Sequence, residues 1–584
     1  MILQALYDYY QRKAADPESQ IAPVGFQWQE IKFIIVIDKS GRFIDLQDTR
    51  DEQGKGRKYL VPKSIKRSGS RAYETAFLLW DHYGYVLSHP KNDDDSSKKM
   101  AESQHRSFLK VIDELPESIK KNKELAAVQL FYKQQGPLTV KKHRNWQDCA
   151  QIPGCNLSFQ LLGEINLLPE CEAIQQFIFS KVQMTTKSED EIIGRCLITG
   201  LKAPIARLHT ATPIRDSKSN ATIVAFQKSS GYDSYGKEQA YNAPISQNAE
   251  AAYSTALKEL LASQKNKTII GGSTILFWAI RKESENNTFD LEESFQWFFS
   301  EDRDDPDRGV KAVKSLYNAI HSGQLPKSEE KFYVLSLSPN AARISIRFFR
   351  QGSTNEIGEK IYQHFKDLEI CKAPHELEHL SLYRLLTATA LQYKMDNVPP
   401  NLASAVIMSI LDGTAYPETL RQQCIRRIRA ECEVTRARAA ILKATINRFN
   451  RIHKSSEKEI TMALDPNNTN TGYLLGRLFA VLEKIQEEAS PGLNATIRDR
   501  FFGAASSTPV TVFSQLLKLK NHHLAKLENP GKRIFFEKLI GEIIAELSEF
   551  PGHLAFSEQA YFSIGYYHQR QDFFTSRKNE KESK

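Results

Sequence analysis

The sequence is poor in cysteine, with seven among 584 residues, and no two of them form a CxxC pair. A small, odd number of cysteines without metal-ligand spacing is typical of buried free thiols in a reducing compartment. We therefore expect a cytoplasmic protein without structural disulfides. A zinc site built from Cys149, Cys155 and Cys171 stays open, although their spacing is irregular. Otherwise the sequence predicts no metal and no cofactor.

Long apolar runs are also missing. The longest, at 274–280, is far shorter than the roughly 18 residues that a membrane span needs. The first thirteen residues, MILQALYDYYQRK, lack a basic segment followed by an apolar one, and they predict a short amphipathic helix rather than a signal peptide. We expect no membrane partner.

Most catalytic motifs are absent as well. The sequence contains no G-x-x-x-x-G-K-[ST], no G-x-G-x-x-G and no G-x-S-x-G. One enzyme motif occurs, H-E-x-x-H at His375, Glu376 and His379. On a helix the two histidines could hold zinc, with Glu376 as general base. Pro374 and the charged Glu378 argue against this, so we predict a protein that is not an enzyme, with a zinc hydrolase as the less favoured alternative.

The residues that are present predict an α+β fold. Hydrophobic residues make up 41% of the chain, enough for large cores. Helix 1–13, a hairpin of 33–38 and 42–46, strands at 268–281 and 331–348 and helices at 101–136 and 250–263 predict a mixed α/β N-terminal body over 1–365, with a sub-boundary near 90–110 left open. The rest of the pattern is helical. A basic helical region at 366–460 precedes an antiparallel helix bundle at 461–584.

The formal net charge is +9, and the excess is concentrated in a few segments. The stretch 54–71, GKGRKYLVPKSIKRSGSR, holds seven basic residues and no acid. Cations separated by glycine and serine can approach a phosphate or enter a groove, which predicts a DNA-binding loop with 66–71 at its tip. A solvated loop is the alternative. The predicted contacts are Lys63, Lys66, Arg67, Ser68, Gly69, Ser70 and Arg71.

A second segment, 215–242, is irregular and rich in serine, asparagine, glycine and tyrosine. Asparagine, glutamine, serine and lysine hydrogen-bond base edges, and tyrosine stacks on bases. The segment therefore predicts a base-reading loop, with disorder as the alternative. The predicted contacts are Lys218, Ser219, Asn220, Lys228, Tyr235, Lys237 and Gln239.

The third basic segment is a predicted helix over 418–454. Between 421 and 454, ten basic residues accompany only two acids. Because two acids cannot neutralise ten bases, contact with a nucleic-acid backbone is a better interpretation than a salt-bridged surface helix. On a single helix, Arg426, Arg429, Arg436 and Lys443 would fall near one face. The predicted contacts are Arg426, Arg427, Arg429, Arg436, Arg438, Lys443, Arg448 and Arg451.

Several stretches also carry a family likeness. They are RCLITGLKAPIARLH at 195–209, SYGKEQAYNAPIS at 234–246, TILFWAIRK at 274–282, VLSLSPNAARISIRFF at 334–349, NVPPNLA at 397–403, IRRIRAECEVTRARAAILKATINR at 425–448 and GRLFAVLEKIQ at 476–486. Over nearly its whole length the sequence resembles the large subunit of the type I-C CRISPR-associated Cascade complex, the subtype-Dvulg large subunit.

The resemblance implies a subunit at the end of an RNA-guided complex that carries the 5′ handle of the CRISPR RNA. Such a subunit reads the protospacer-adjacent motif on double-stranded DNA, promotes R-loop formation, holds the non-target strand and docks the helicase-nuclease. Its other partners would be the backbone and handle-processing subunits. Base pairing reads the long target, so the protein reads only the motif and shape. A stand-alone, non-specific nucleic-acid-binding protein is the alternative.

An internal translation start is a further hypothesis. Met462 is one of six methionines, and 462–584 covers the predicted bundle. Lys458-Glu459 is encoded by AAR-GAR, which can spell a purine-rich ribosome site, and Ile460-Thr461 supplies a spacer. The resemblance supports a small subunit made from the same gene, because the type I-C family is short of a separate gene for it.

Overall fold

The computed structural model of the chain describes residues 1–15, 21–23, 25–65, 67, 71–183, 192–228, 235–280, 290–300, 305, 307–322 and 330–582. The chain divides into two compact units. Unit 1 contains Met1–Pro213, Ser217–Glu259 and Ala341–Arg343, and unit 2 contains Ile214–Asp216, Leu260–Asn340 and Ile344–Lys584. The three-part division at 365 and 460 stays a prediction.

A four-stranded sheet forms the centre of unit 1, in the order β3-β2-β6-β5. Strand β2 has the sequence FIIVI and all five side chains are buried, as expected for the interior of a sheet. It pairs antiparallel with β3, which confirms the predicted hairpin, and parallel with β6. The strands of the unit are β1 Phe26–Ile31, β2 Phe33–Ile37, β3 Phe43–Asp48, β4 Arg57–Pro62, β5 Trp80–His82, β6 Asn156–Leu161, β7 Ile193–Arg195 and β8 Lys202–Pro204.

Helices cover this sheet and enclose an aromatic core. Phe131 packs edge-on against Phe159 with ring centroids 5.6 Å apart. The predicted helical stretch 101–136 is helical, but it is divided among three helices. The helices are α1 Ile2–Ala15, α2 Tyr83–Leu87, α3 Asp95–Asp113, α4 Glu117–Lys120, α5 Lys123–Lys133, α6 Gly136–Val140, α7 Trp146–Gln151, α8 Glu172–Gln183 and α9 Gln247–Ala262.

The first basic stretch is more regular than its composition indicated. Within 54–71, β4 pairs antiparallel with β1 in a two-stranded ribbon. Tyr59 and Val61 of β4 point into a small core, whereas Arg57 and Lys58 at the start of the strand are exposed. The segment that follows β8 up to α9 is irregular where it is described, apart from the short 3-10 helix Gln239–Asn242.

Unit 2 begins with a second four-stranded sheet, in the order β12-β11-β10-β9. Strand β10 pairs antiparallel with both β9 and β11. These strands confirm the predictions at 268–281 and 331–348, where most of the described β-branched and aromatic residues are buried. The strands are β9 Lys267–Ile270, β10 Ser273–Ile280, β11 Lys331–Asn340 and β12 Arg343–Ser353.

After β12, the described residues of unit 2 are helical or irregular, which confirms the predicted fold class. One hydrophobic core extends from Ile270 to Phe573. None of the helices described is long and apolar enough to cross a membrane. The helices are α10 Leu291–Phe299, α11 Asp307–His321, α12 Thr354–Leu368, α13 Leu382–Ala388, α14 Leu402–Asp412, α15 Glu418–Glu431, α16 Arg436–Ile452, α17 Thr471–Ala489, α18 Ile497–Ala505, α19 Pro509–Ala525, α20 Pro530–Ala545 and α21 Phe556–Glu582.

The last five helices form a bundle in which α17 and α21 pack very closely. Glycines permit this approach. A Cβ atom on Gly476 would lie 1.9 Å from the carbonyl oxygen of Phe562, and one on Gly565 would lie 2.2 Å from that of Tyr473. Met462 is exposed in the connection before α17, and its carbonyl oxygen accepts a hydrogen bond from the Cys371 amide at 2.8 Å.

Candidate nucleic-acid interface

Lys63, just after β4, is held by an acid that is distant in sequence. Its Nζ lies 3.1 Å from Oε2 of Glu250 on α9, and the two side chains are only 19% and 8% exposed. Ser64, the next residue, donates a hydrogen bond to Gln27 Oε1 at 3.0 Å. The first residues of the predicted DNA-binding loop are therefore attached to the body of unit 1.

Arg67 is the second point of attachment. Its guanidinium lies between the rings of Phe77 and Tyr85, 4.0 and 4.1 Å from their centroids. Its Nε donates to the carbonyl oxygen of Thr75 at 2.7 Å, and its Nη2 donates to the Asp81 carboxylate. Burial raises the pKa of Asp81 to about 6, although Arg67 acts to lower it. The prediction that Arg67 stands at an open tip is therefore wrong, because stacking and hydrogen bonds engage its guanidinium within unit 1.

The rest of this loop divides into exposed and undescribed residues. The side chain of Arg71 is 81% exposed, with Nε 3.8 Å from Glu74, and Ile65 is exposed as well. Lys66, Ser68, Gly69 and Ser70 lie outside the described residues. Their predicted contacts with DNA stay predictions.

In the second predicted segment, Lys218, Ser219 and Asn220 lie at an exposed turn. The turn is closed by the Ala221 amide, which donates to the Lys218 carbonyl oxygen at 3.0 Å, and the Lys218 amide donates to Ala341 at 3.1 Å. Because the backbone is held, these three polar side chains point into solvent from a defined position. They are suited to the base-edge contacts predicted for them.

In the remainder of that segment, some side chains form ion pairs or hydrogen bonds with other residues of unit 1. Lys228 forms an ion pair with Glu238 at 2.8 Å, and Gln239 accepts a hydrogen bond from Arg207 at 2.5 Å. Lys237 is exposed, and Tyr235 is 100% exposed with φ of 53°. A left-handed backbone is strained for tyrosine, so the fully exposed Tyr235 ring is a notable feature of the loop. Tyr232 and its neighbours at 229–234 lie outside the described residues.

The third basic segment differs from its prediction in two respects. It is two helices, α15 and α16, because Cys432 adopts a left-handed backbone with φ of 51° and ends α15. Arg426, Arg429, Arg436 and Lys443 therefore do not share the face of a single helix.

Burial within unit 2 is the second difference, and it affects four of the predicted backbone-binding cations. Arg438 is fully buried and donates to the Ala388 and Glu433 carbonyl oxygens and to the Glu431 carboxylate. Arg436 donates to the Leu377 and Glu378 carbonyl oxygens. Two more approach Asp367: Lys443 donates to its carbonyl oxygen at 2.9 Å, and Arg448 Nε lies 3.5 Å from its Oδ2. A DNA strand cannot reach these four groups, so in this structure they hold helices together.

The other predicted contacts of this segment are partly or fully exposed. Arg427 is paired with Glu431 at 3.7 Å, and Arg451 with Asp367 at 2.9 Å and Glu459 at 2.7 Å. Arg426 and Arg429 are exposed on α15, and neither forms an ion pair with any residue that the structure describes. These two arginines are the part of the segment best placed to meet phosphate.

The zinc-hydrolase alternative depends on a helix that the structure does not have at this place. Residues 374–379 form turns, and α13 begins only at Leu382. Glu376 accepts a hydrogen bond from the Ala373 amide at 2.8 Å, and His379 packs between the rings of Tyr317 and Phe365. His375 and His379 therefore do not present two ligands on one helical face.

The three cysteines considered for zinc do not form a metal site either. The thiols of Cys149 and Cys155 are hydrogen-bonded to each other, and this bond and burial raise the pKa of Cys149. Burial also raises the pKa of Cys171 to about 12. Across the described ranges, no three histidine, cysteine or acidic side chains converge to hold a metal ion.

Two acids that matter for this interface were missed by sequence reasoning. Asp81 pairs with Arg67 and Glu250 with Lys63, two cations of a stretch that contains no acid of its own. Asp81 is 14 residues from Arg67, and Glu250 is 187 residues from Lys63. No local spacing marks either acid, so only the fold reveals these partners.

Comparison with known proteins gives the class of the molecule. Residues 6–574 match the model of a family of proteins associated with CRISPR. The chain belongs to the family described as CRISPR-associated protein (Cas_Csd1), which confirms the resemblance seen in the sequence and is consistent with the large subunit of a type I-C Cascade. A comparison with curated proteins gives no match.

Proposed function

We propose that this chain is the DNA-recognition subunit of a type I-C CRISPR RNA-guided complex. In this proposal it reads the protospacer-adjacent motif on double-stranded DNA, promotes R-loop formation, holds the non-target strand and docks the helicase-nuclease. Its further partners are the 5′ handle of the CRISPR RNA and the backbone and handle-processing subunits. The guide RNA reads the long target by base pairing, so the protein needs to contact only the short motif.

One observation carries the proposal beyond family membership. Unit 1 presents polar and aromatic side chains on or near segments that hydrogen bonds and ion pairs attach to the body of the unit. Arg71, the turn at 218–220, Lys237 and Tyr235 are exposed there. Groups held in place can read a short motif with less loss of conformational entropy than freely mobile ones. We place motif reading in these residues and assign Lys63 and Arg67 to anchoring.

We also propose that the chain has no nuclease activity of its own. The nucleotide-binding and nucleophile motifs named above are absent from its sequence, and the single H-E-x-x-H segment is not helical. The purified complex should leave a labelled target duplex intact with Mg²⁺ or Zn²⁺ until the helicase-nuclease is added. Cleavage by the complex alone would contradict this proposal.

The direct test uses the chain in its complex. The chain would be co-expressed with its operon neighbours and a guide RNA, and binding would be measured to duplex targets with randomised bases beside the guide match, at fixed salt. We expect binding to depend on a short flanking motif and to be lost without this chain. Tight binding of the isolated chain to any duplex would instead favour a stand-alone, non-specific binder.

The internal start at Met462 leads to a separate proposal. Residues 462–584 include all five helices of the bundle, among them the closely packed pair α17 and α21. We propose that the same gene also yields this segment as a free small subunit. A product near 14 kDa (roughly 110 Da per residue) should disappear after Met462→Ile or a synonymous change at Lys458-Glu459, while the full chain persists. If the unedited strain makes no such product, the proposal is wrong.

A further inference from the structure

Glu250 on α9 is more than nine-tenths buried, and its two carboxylate oxygens contact different segments of unit 1. Oε2 lies 3.1 Å from Lys63 Nζ, immediately after β4. Oε1 accepts a hydrogen bond from the Thr210 amide at 2.8 Å. The first contact holds the start of the 63–71 loop, and the second holds the start of the segment that leads to Lys218. One side chain therefore joins the two segments to which we assign motif reading.

Neighbouring residues on the same face of α9 reinforce both attachments. The Tyr253 hydroxyl is hydrogen-bonded to His209 Nδ1, next to Thr210, and Ser254 Oγ lies 3.5 Å from Lys63 Nζ. Positions 250, 253 and 254 share a helix face because three and four residues complete about one turn. The helix thus forms a single platform beneath both segments.

The charge state of Glu250 suits this role. Burial acts to raise the pKa of Glu250, but Lys63 and the Thr210 hydrogen bond lower it below its ordinary value. The carboxylate is therefore ionised at neutral pH and compensates the desolvated Lys63 ammonium. Removal of Lys63 leaves the buried carboxylate of Glu250 without its ion-pair partner, which is costly in a protein interior.

We propose that Glu250 is a positioning residue that couples the two segments, so that motif reading depends on both being held at once. The proposal rests on the function proposed above. In it, Lys63 does not contact phosphate. Its cation serves to hold Glu250 between the loop and the Thr210 backbone.

The test compares Lys63→Met, Glu250→Gln and the double variant in the assembled complex with guide RNA. Affinity would be measured for motif-bearing and motif-free duplexes over a range of salt concentrations. We expect each single variant to lower the preference for the motif by about tenfold, the scale of one or two hydrogen bonds. The double variant should be no worse than the more severe single variant, because both substitutions break the same link.

Salt dependence separates this role from direct DNA contact. The logarithm of the binding constant falls linearly with the logarithm of the salt concentration, and we call the magnitude of this slope the salt slope. A lysine bound to phosphate contributes about one to the salt slope, and its removal lowers the slope for every DNA sequence. We expect the slope to be unchanged in Lys63→Met. A slope lowered by about one, or additive effects of the two substitutions, would overturn the proposal.

Two controls guard against a simple loss of folding. Glu259→Gln removes the same charge from the same helix, without an ion pair to a described residue, and should leave the motif preference unchanged. Lys63→Arg keeps the cation and should retain most of the preference. A loss of preference in Glu259→Gln equal to that in Glu250→Gln would show a general effect of charge and overturn the proposal.

Hydrogen exchange tests the coupling without DNA. In Lys63→Met, amide exchange should rise in peptides covering 209–222, although the substitution lies in another segment. Unchanged exchange there would overturn the proposal. Should the wild-type complex show no motif preference while exchange still rises, the proposed function fails and the coupling stands.

Discussion

Individual arginines of this protein divide into buried and exposed groups that the sequence does not distinguish. Arg438 and Arg429 lie nine residues apart in one basic segment. The first is fully buried with three acceptors, and the second is exposed on α15. A buried guanidinium with satisfied donors contributes to stability, whereas an exposed one contributes to binding of anions. Substitution of a buried arginine should therefore lower stability, whereas substitution of an exposed one should weaken the binding of anions.

Arg438→Met should destabilise unit 2 by about 3–5 kcal/mol, because the Ala388 and Glu433 carbonyl oxygens and the Glu431 carboxylate each lose the hydrogen bond that Arg438 donates. Arg426→Gln with Arg429→Gln should leave thermal unfolding unchanged. In the assembled complex, the double variant should lower the salt slope of DNA binding by about two, one for each phosphate that is no longer neutralised. An unchanged slope would remove α15 from the nucleic-acid interface.

Among structural elements, those formed by local patterns were predictable from the sequence. Strands β2, β10 and β11 are rich in β-branched and aromatic residues, and burial of both faces follows from that pattern. The break between α15 and α16 was not predictable, because a cysteine in a left-handed conformation carries no sequence signal. The partners of the basic stretches escaped prediction for another reason. Lys443 and its partner Asp367 are 76 residues apart in the sequence, and a count of charges within a short window does not detect such a pair.

The interface of α17 and α21 depends on residues without side chains. Gly476→Ala should destabilise unit 2 by at least about 1–3 kcal/mol, because its Cβ would meet the Phe562 backbone rather than a movable side chain. Gly541→Ala on α20 is the matched control. Nothing lies within 4 Å of a Cβ there, so this substitution should stabilise the chain by about 0.5–1 kcal/mol through helix propensity. Chemical denaturation of both variants checks the contrast, and equal effects would contradict the glycine-mediated packing.

At the scale of the whole molecule, burial of histidine makes unit 2 sensitive to acid. His364 donates to or accepts from the Tyr416 hydroxyl at 2.6 Å, and His568 does the same with Tyr473 at 2.9 Å. Burial lowers the pKa of each histidine to about 3. The unfolded chain, with an ordinary histidine pKa near 6.5, binds more protons than the folded one between these values. The stability from neutral histidine is therefore present above about pH 6.5 and is lost as the pH falls towards 3.

His568→Asn and His364→Asn should each weaken this acid dependence, since asparagine can keep the tyrosine hydrogen bond but does not titrate. The free energy of unfolding would be measured from pH 7 to pH 4 for each variant and the wild type, and the difference taken at each pH. Each histidine removed should flatten the slope by up to about 1.4 kcal/mol per pH unit. The contribution of Asp81 in unit 1 is the same in variant and wild type, so it cancels when their free energies of unfolding are subtracted. That contribution has the opposite sign, because the raised pKa of Asp81 means that the folded state binds its proton more tightly than the unfolded state does. If the slopes of variant and wild type coincide, these histidines are not buried in their neutral form, and the polar contacts of α12 and α21 must differ from those described.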